Sequence, residues 1–188
     1  MADGTRKTTK HILLAMGGRP VKPDIPGADL AITSNEIFNL QQLPKSMLII
    51  GGGYIASEFA GIMTGLGVAT TQFYRGEQIL RGFDDEARNL VTDGMRARGV
   101  DLRLGTNATA LRQEGNGIRV VATDGTEAVY DQVMFATGRR PNTDMLGLAA
   151  LDLPLDANGA VVVDDYSQTA VPSIYAVGDV TDRVNLTP

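Results

Sequence analysis

The feature that most constrains this chain is the segment 47–58, where an aliphatic run leads into three glycines and then into residues that favour a helix. Within it, Gly51, Gly53 and Ala56 form a G-x-G-x-x-A pattern, which is typical of a dinucleotide-binding turn between a strand and a helix. The first glycine allows a sharp exit from the strand, the second leaves room for a pyrophosphate, and the third small residue lets the helix pack closely. Free amides at the helix N-terminus favour an anion. The pattern predicts a dinucleotide site; the simpler alternative is a tight strand–helix turn.

The residues after this turn continue in a strand–helix–strand–helix–strand order. Gly67 is expected to end the first helix in the left-handed conformation, and residues 68–74 to form the second strand. Asp84 or Asp85 can cap the second helix, and residues 100–104 complete a βαβαβ unit with a parallel sheet. Four apolar residues at helical spacing form the expected inward face of the second helix: Ala87, Leu90, Val91 and Met95.

The pattern then changes to short strands separated by turn residues. Strands are expected at 106–113, 118–123 and 126–130, with Asp124-Gly125 as a hairpin signal before the last, and a buried strand at 132–136. We therefore predict an α/β fold: a Rossmann-like parallel sheet with a helical face and an antiparallel β-meander on the other face, plus flanking strands from a split domain.

Smaller elements are predicted outside this unit. Ser34 or Asn35 can cap a short helix reaching Leu40. The expected flanking strands are residues 11–15, which should be buried, 161–163 and 174–177.

Composition excludes several functions. The 188 residues carry a net charge of −5, which gives no indication of a basic surface that would bind nucleic acid. No apolar run reaches the ~20 residues that span a bilayer and no secretory signal is visible, so we expect a cytoplasmic protein. The chain has no cysteine and one histidine, His11. This excludes disulfides, thiolate or histidine-cluster metal sites, and thiol chemistry by the chain itself.

The residues after the second predicted strand indicate which dinucleotide fits. An acidic side chain about 20 residues past the glycines is expected to hold an adenosine ribose 2′-hydroxyl, but Tyr74 and then Arg75 stand there, and Arg81 follows. A carboxylate would repel a 2′-phosphate, whereas a guanidinium pairs with one, often bidentately. We predict NADP rather than NAD; the alternative is that both arginines are solvated surface charges.

Several motifs together resemble one family. The chain closely resembles the glutathione reductases, a branch of the FAD-dependent pyridine nucleotide–disulfide oxidoreductases, from about residue 11 to its end. Dihydrolipoamide dehydrogenases share much of this pattern but are acidic where Tyr74 stands. Besides the two arginines, the segments that carry the resemblance are residues 51–61, 80–84, 136–142 and 175–179, with 186–188 similar to the start of a further motif.

The resemblance implies roles around the glycine turn. Gly51 and Gly53 would shape the pyrophosphate loop, with the amides near Ile55 and Ala56 facing the phosphates. Tyr54 resembles a tyrosine that covers the flavin and moves aside for nicotinamide; the alternative is a helix residue packed on the loop.

Further roles follow from the same resemblance. Glu58 resembles a glutamate that pairs with a flavin-side lysine, or it simply complements the helix dipole. Arg75 and Arg81 would clamp the 2′-phosphate, and Gly138 would lie against the dinucleotide. Asp179 resembles the carboxylate that binds the FAD ribityl chain, or it is an ordinary turn residue after a strand.

The sequence also departs from the family. It contains neither the flavin-binding half with its redox cysteine pair nor the C-terminal interface domain, and Met16 stands where threonine is usual. The expected organisation is a fragment of the FAD domain at 1–19, the NADPH-binding domain at 20–141 and a second FAD-domain fragment at 142–188.

The resemblance implies a parent homodimer in which electrons pass from NADPH to FAD, to a dithiol and to glutathione disulfide. The chain alone, with only part of the FAD site, is expected to be inactive. Two alternatives stay open: a cysteine-free flavoprotein reductase serving a ferredoxin-like carrier, and a non-catalytic dinucleotide-binding module. A cysteine pair in the parent would separate the first from a disulfide reductase, and a flavin spectrum with an NADPH oxidation assay would identify the second.

Overall fold

The computed structural model describes residues 4–144 and 146–183. The chain forms two compact units, one comprising Pro20–Gly138 and the other joining Met1–Arg19 to Arg139–Pro188. The described α-helices are α1 (Tyr54–Gly65) and α2 (Asp85–Ala97), with 3-10 helices at Ala28–Leu30, Ile37–Asn39, Leu148–Leu151 and Gly178–Thr181. The described strands are, in chain order, β1 (Ile12–Leu14), β2 (Gly18–Pro20), β3 (Ser46–Ile50), β4 (Ala69–Tyr74), β5 (Asp101–Leu104), β6 (Ala108–Glu114), β7 (Gly117–Ala122), β8 (Glu127–Tyr130), β9 (Gln132–Phe135), β10 (Arg139–Pro141) and β11 (Ile174–Ala176).

The centre of the Pro20–Gly138 unit is a parallel sheet with the strand order β5–β4–β3–β9. β3 has a neighbour on each side, with Ile50 opposite Phe73 of β4 and Phe135 of β9. The helices α1 and α2 connect β3 to β4 and β4 to β5, which is the predicted βαβαβ order. The glycine turn therefore starts at the carboxyl end of a central strand.

Both faces of β3 are buried, as expected for a strand in a covered parallel sheet. On one face Met47 and Ile49 share a core with Ala56, Ala60 and Met63 of α1. On the other face Leu48 and Ile50 pack with residues of the antiparallel sheet β6–β7–β8, among them Leu111 and Val120. The predicted fold class, with helices on one face of the sheet and a β-meander on the other, is confirmed.

The predicted inward face of α2 is right for Met95 and wrong for its other three residues, and the predicted cap is right. Asp84 caps the helix, since its Oδ1 accepts hydrogen bonds from two backbone amides of the first turn. Leu90 and Val91 are 76% and 38% exposed and Ala87 is exposed as well, whereas Thr92 and Met95 are buried. The helix turns polar side chains inward because these bind the loop before it.

The short helix before β3 begins differently from the prediction. Neither Ser34 nor Asn35 caps it. Instead the Glu36 carboxylate accepts hydrogen bonds from the backbone amide and the hydroxyl of Thr33, both at 2.7 Å. The Thr33 hydroxyl also accepts from the Asn35 amide at 3.3 Å. Thr33 and Glu36 thus hold the turn just before the helix in an arrangement similar to a capping box, and no side chain caps the 3-10 helix itself.

The other unit has a small core of its own. β1 pairs in parallel with β11, and β2 pairs with β10, a pairing that the sequence did not suggest. The expectation of a buried strand at 11–15 is right only for Leu14, because Ile12, Leu13 and Ala15 are exposed. The expected strand at 161–163 is also wrong: Val161 makes only an isolated bridge to Leu155. The buried residues of this core are Leu14, Leu148, Leu153, Val161, Ile174, Ala176 and Val180.

Among the described residues, no helix is long and apolar enough to cross a membrane. The motif noted at residues 186–188 lies outside the described part of the chain.

Candidate functional site

Gly51 is required by the close approach of two strands and a helix. Its backbone has φ +148°, a conformation that side chains other than hydrogen rarely tolerate. A β-carbon here would overlap the Ala136 carbonyl and come within 3.3 Å of the Ala56 side chain. The Gly51 amide donates to the Phe73 carbonyl at 2.9 Å. The first and third positions of the fingerprint therefore act together to bring α1 onto the sheet.

Gly53 differs from Gly51 because its side is open. It is the N-cap residue of α1 with extended backbone angles, and no side chain caps this helix. A β-carbon at Gly53 would meet no other atom of the described chain within 4 Å. The first turn of α1 also contains no acidic residue. An anion can therefore approach the partial positive charge of this helix end.

The remaining candidate residues of α1 divide between the core and the surface. Ala56 is completely buried and Ile55 packs partly against the helical core. Tyr54 is half-buried at the first position of the helix, and Glu58 is exposed one turn later. Both residues therefore lie in the N-terminal half of α1. The Glu58 carboxylate has no ion pair among the described residues.

Tyr74 packs directly on the backbone of the glycine turn. A β-carbon on Gly52 would overlap the Tyr74 ring, and one on Gly76 would come within 2.7 Å of its Cε1. Gly52 and Gly76 are therefore small because the ring lies against both. The sequence identified Tyr74 only as a replacement for an acidic residue, and its role as a wedge between two loops was missed.

Gln72 is a second residue that the sequence did not single out. It is completely buried in β4, and its side-chain amide donates to the Gly51 carbonyl at 2.9 Å. Its own Oε1 has no hydrogen-bond partner among the described residues. A polar residue in an apolar strand was the signal that could have revealed it, because buried amides need partners.

The two arginines lie on the loop that follows β4, and this loop touches the glycine turn. Arg75 follows Tyr74, whose ring covers Gly52. Arg81 follows Leu80, whose amide donates to the Gly52 carbonyl at 2.6 Å. Both arginines are exposed, and neither forms an ion pair within the described ranges. The structure therefore brings two unpaired positive charges to the loop beside the open end of α1.

Gly138 closes the Pro20–Gly138 unit beyond β9. It is exposed, with φ +145°, and its carbonyl accepts a hydrogen bond from the Val21 amide at 3.0 Å. Thr137 also binds Val21, because its hydroxyl donates to the Val21 carbonyl at 2.9 Å.

Asp179 lies in the other unit, in the 3-10 helix that follows β11. Its carboxylate is 3.6 Å from the guanidinium of Arg139, and the two side chains are 21% and 29% exposed. Arg139 also donates to the Gly18 carbonyl at 2.5 Å. A β-carbon on Gly18 would come within 3.5 Å of the Asp179 side chain. Asp179 is therefore more than a turn residue: it belongs to a local cluster around the Gly18 backbone.

Comparison with known proteins identifies the family to which the chain is similar. The family model described as pyridine nucleotide-disulphide oxidoreductase matches residues 2–188. Glutathione reductase from Burkholderia cepacia is 51% identical over 185 residues, covering 98% of this chain and 41% of that protein. Trypanothione reductase from Leishmania donovani is 47% identical, covering 96% of this chain and 37% of that protein.

Solved structures are similar as well. The flavoprotein disulfide reductase RclA from Escherichia coli superposes with a TM-score of 0.88 at 28% identity, over 94% of this chain and 41% of that one. LpdA from Mycobacterium tuberculosis gives a TM-score of 0.81 at 29% identity, over 94% of this chain and 39% of that one. The chain spans about two fifths of the length of these relatives.

Proposed function

The chain belongs to the pyridine nucleotide-disulphide oxidoreductase family, and on that premise we propose that it supplies the NADPH-binding domain of a longer flavin-dependent disulfide reductase. The predicted domain at 20–141 is close to the compact unit Pro20–Gly138. We assign the predicted fragments 1–19 and 142–188 to the FAD-binding domain of the same protein.

One observation carries the proposal. The uncapped N-terminus of α1, with open space beside Gly53, lies next to a loop that presents Arg75 and Arg81. A pyrophosphate fits the helix end, and a 2′-phosphate fits two unpaired guanidinium groups. An NADH site would favour a carboxylate at the end of the second strand, and the residue at the end of β4 is Tyr74.

The residues of the chain would bind and orient the dinucleotide. Gly51 and Gly53 would hold the loop whose amides, near Ile55 and Ala56, face the pyrophosphate, and Gly138 would line the site. Tyr54 would gate the approach of nicotinamide. When bound, NADPH would supply a hydride for the flavin of the longer protein.

Asp179 is the residue of this chain that we propose for FAD. Its carboxylate can accept hydrogen bonds from ribityl hydroxyl groups, and it lies 3.6 Å from the guanidinium of Arg139. Glu58 is free to pair with a cation of the longer protein. Since this chain has no cysteine, it cannot pass electrons to a disulfide through thiols of its own.

For the whole protein we propose reduction of glutathione disulfide or a close relative, by a cytoplasmic homodimer. The names of the relatives, glutathione and trypanothione reductases, support a disulfide substrate over the ferredoxin-like carrier. The chain alone would act as a binding module, without turnover.

A calorimetric titration of the chain with NADPH and NADH tests the proposal. We expect tighter binding of NADPH. Arg75→Ala should weaken NADPH binding by about tenfold to a hundredfold, since a charged hydrogen-bond partner contributes roughly 1.5–3 kcal/mol, and leave NADH nearly unchanged. Arg112→Ala, which removes an exposed arginine from β6, is the matched control.

Equal affinity for the two nucleotides, or equal losses for both in Arg75→Ala, would contradict the 2′-phosphate role. A yellow preparation with stoichiometric flavin would contradict the assignment of the flanks as incomplete parts of an FAD site.

A further inference from the structure

The loop that carries Arg75 and Arg81 is fastened to α2 by a third arginine. Arg88 donates from Nε to the Ile79 carbonyl at 2.9 Å and from Nη2 to the Gln78 carbonyl at 3.1 Å. Its Nη1 pairs with the Asp85 carboxylate at 2.6 Å. Its side chain is only 18% exposed, and each of its three nitrogens has a hydrogen-bond partner in the protein.

The Gln78 side chain gives the same loop a second attachment to α2. Its amide nitrogen donates to the Asn89 side-chain oxygen at 2.7 Å, and its Oε1 accepts from the buried hydroxyl of Thr92 at 3.1 Å. These bonds explain why α2 turns Arg88 and Thr92 inward and leaves Leu90 exposed.

From its opposite side the loop is held by the glycine turn. Leu80 donates its amide to the Gly52 carbonyl at 2.6 Å, and Ile79 is completely buried. Leu80 has φ +58°, a left-handed conformation that costs free energy for a residue with a branched side chain and persists only where its surroundings impose it. Residues 78–80 are thus clamped between α2 and the turn, and Arg81 follows at once.

We propose that Arg88 is a positioning residue for NADP selectivity: it fixes residues 78–80 so that the guanidinium of Arg81 is held where a 2′-phosphate binds. This inference rests on the proposed function. Arg88 itself is engaged by two carbonyls and a carboxylate, so it acts through the backbone and does not contact the nucleotide.

Arg75 depends less on this clamp. It directly follows β4, and its two neighbours are held by the residues that follow β5: the Gly76 carbonyl accepts from the Gly105 amide at 3.0 Å, and the Tyr74 carbonyl accepts from the Thr106 amide at 3.0 Å. Loss of the Arg88 bonds should therefore disturb Arg81 selectively.

The test compares 2′,5′-ADP with 5′-AMP as probes, because only the first carries a 2′-phosphate. Arg88→Met keeps an aliphatic side chain and removes the fork of donors. We expect it to weaken 2′,5′-ADP binding about tenfold, because ordering a loop and its side chains on binding is costly, and to change 5′-AMP binding less than twofold. Arg96→Met, at an exposed position of the last turn of α2, is the matched control.

A double-mutant cycle separates positioning from general destabilisation. In an Arg81→Met background, Arg88→Met should cause no further loss of 2′,5′-ADP affinity. Arg88→Lys should recover only part of the loss, because a lysine is a flexible point donor and cannot bridge two carbonyls as a planar fork does.

The outcomes are distinguishable. If Arg88→Met keeps the preference for 2′,5′-ADP, or if its loss simply adds to that of Arg81→Met, the positioning role is overturned while the proposed function stands. If the unaltered chain binds 2′,5′-ADP and 5′-AMP equally, the NADP selectivity of the proposed function and the role of Arg88 are overturned together.

Discussion

A side chain at each of the two fingerprint glycines should have a different effect, on stability at one and on nucleotide binding at the other. Gly51 is confined by the fold, since a β-carbon would overlap the Ala136 carbonyl and approach the Ala56 side chain. Gly53 is not confined, because nothing in the described chain lies within 4 Å of its missing β-carbon. Substitution at Gly51 should therefore cost stability, and substitution at Gly53 should cost binding.

The magnitudes follow from the geometry. Gly51→Ala combines a φ of +148°, which costs roughly 1–3 kcal/mol for a residue with a side chain, with overpacking against backbone, which costs another ~1–3 kcal/mol. The total is a large part of the ~5–15 kcal/mol that stabilises a typical domain. Gly53→Val keeps allowed backbone angles, and its poorer capping should change the free energy of unfolding by only about 1 kcal/mol.

Urea denaturation and calorimetric titration with NADPH and NADH measure the two effects separately. We expect Gly53→Val to unfold near the same urea concentration as the unaltered chain. It should show no detectable binding of either nucleotide, because the valine side chain occupies the approach of the pyrophosphate. Undiminished NADPH affinity in Gly53→Val would refute the reasoning, and so would unchanged stability in Gly51→Ala.

Three further predictions concern residues away from the phosphates. Gln72→Leu should weaken NADPH and NADH by the same factor in titrations, since its bond to the Gly51 carbonyl orients the turn beneath the part common to both nucleotides. Hydrogen bonds from Thr33 lower the pKa of Glu36 below its usual 4.5, so its ionised form stabilises the fold above that pH. Glu36→Gln should therefore unfold at lower urea concentration at pH 7, and the difference should vanish as the pH falls well below 4.5. Leu90→Ser should change the free energy of unfolding by no more than about 0.5 kcal/mol, because Leu90 is exposed.

Local rules predicted the parts of the fold that local residues determine. The aliphatic run before Gly51 forms a strand buried on both faces, and Asp84 caps α2. Gly67 ends the turn after α1 with φ +87°, as a left-handed C-terminal glycine should. Each of these features depends on a few neighbouring residues, so the sequence pattern was sufficient.

The features that were missed depend on contacts between distant segments. Helical spacing alone placed Leu90 inside, but α2 is oriented by the hydrogen bonds of Arg88 and Thr92 to the preceding loop. The packing of Tyr74 on Gly52 requires contact between the glycine turn and the end of β4. The sequence pattern of either segment alone does not predict this contact. Apolar composition predicted a strand at 161–163, yet strand formation also needs a partner, and only Val161 finds one.

The most direct test of the central claim is an amide chemical-shift map of the chain titrated with NADPH and, in parallel, with NADH. We expect both nucleotides to shift the amides of residues 51–56, and only NADPH to shift those of residues 75–82 strongly. The largest shifts with NADPH at residues 139–141 and 178–182, with the glycine turn unaffected, would contradict it.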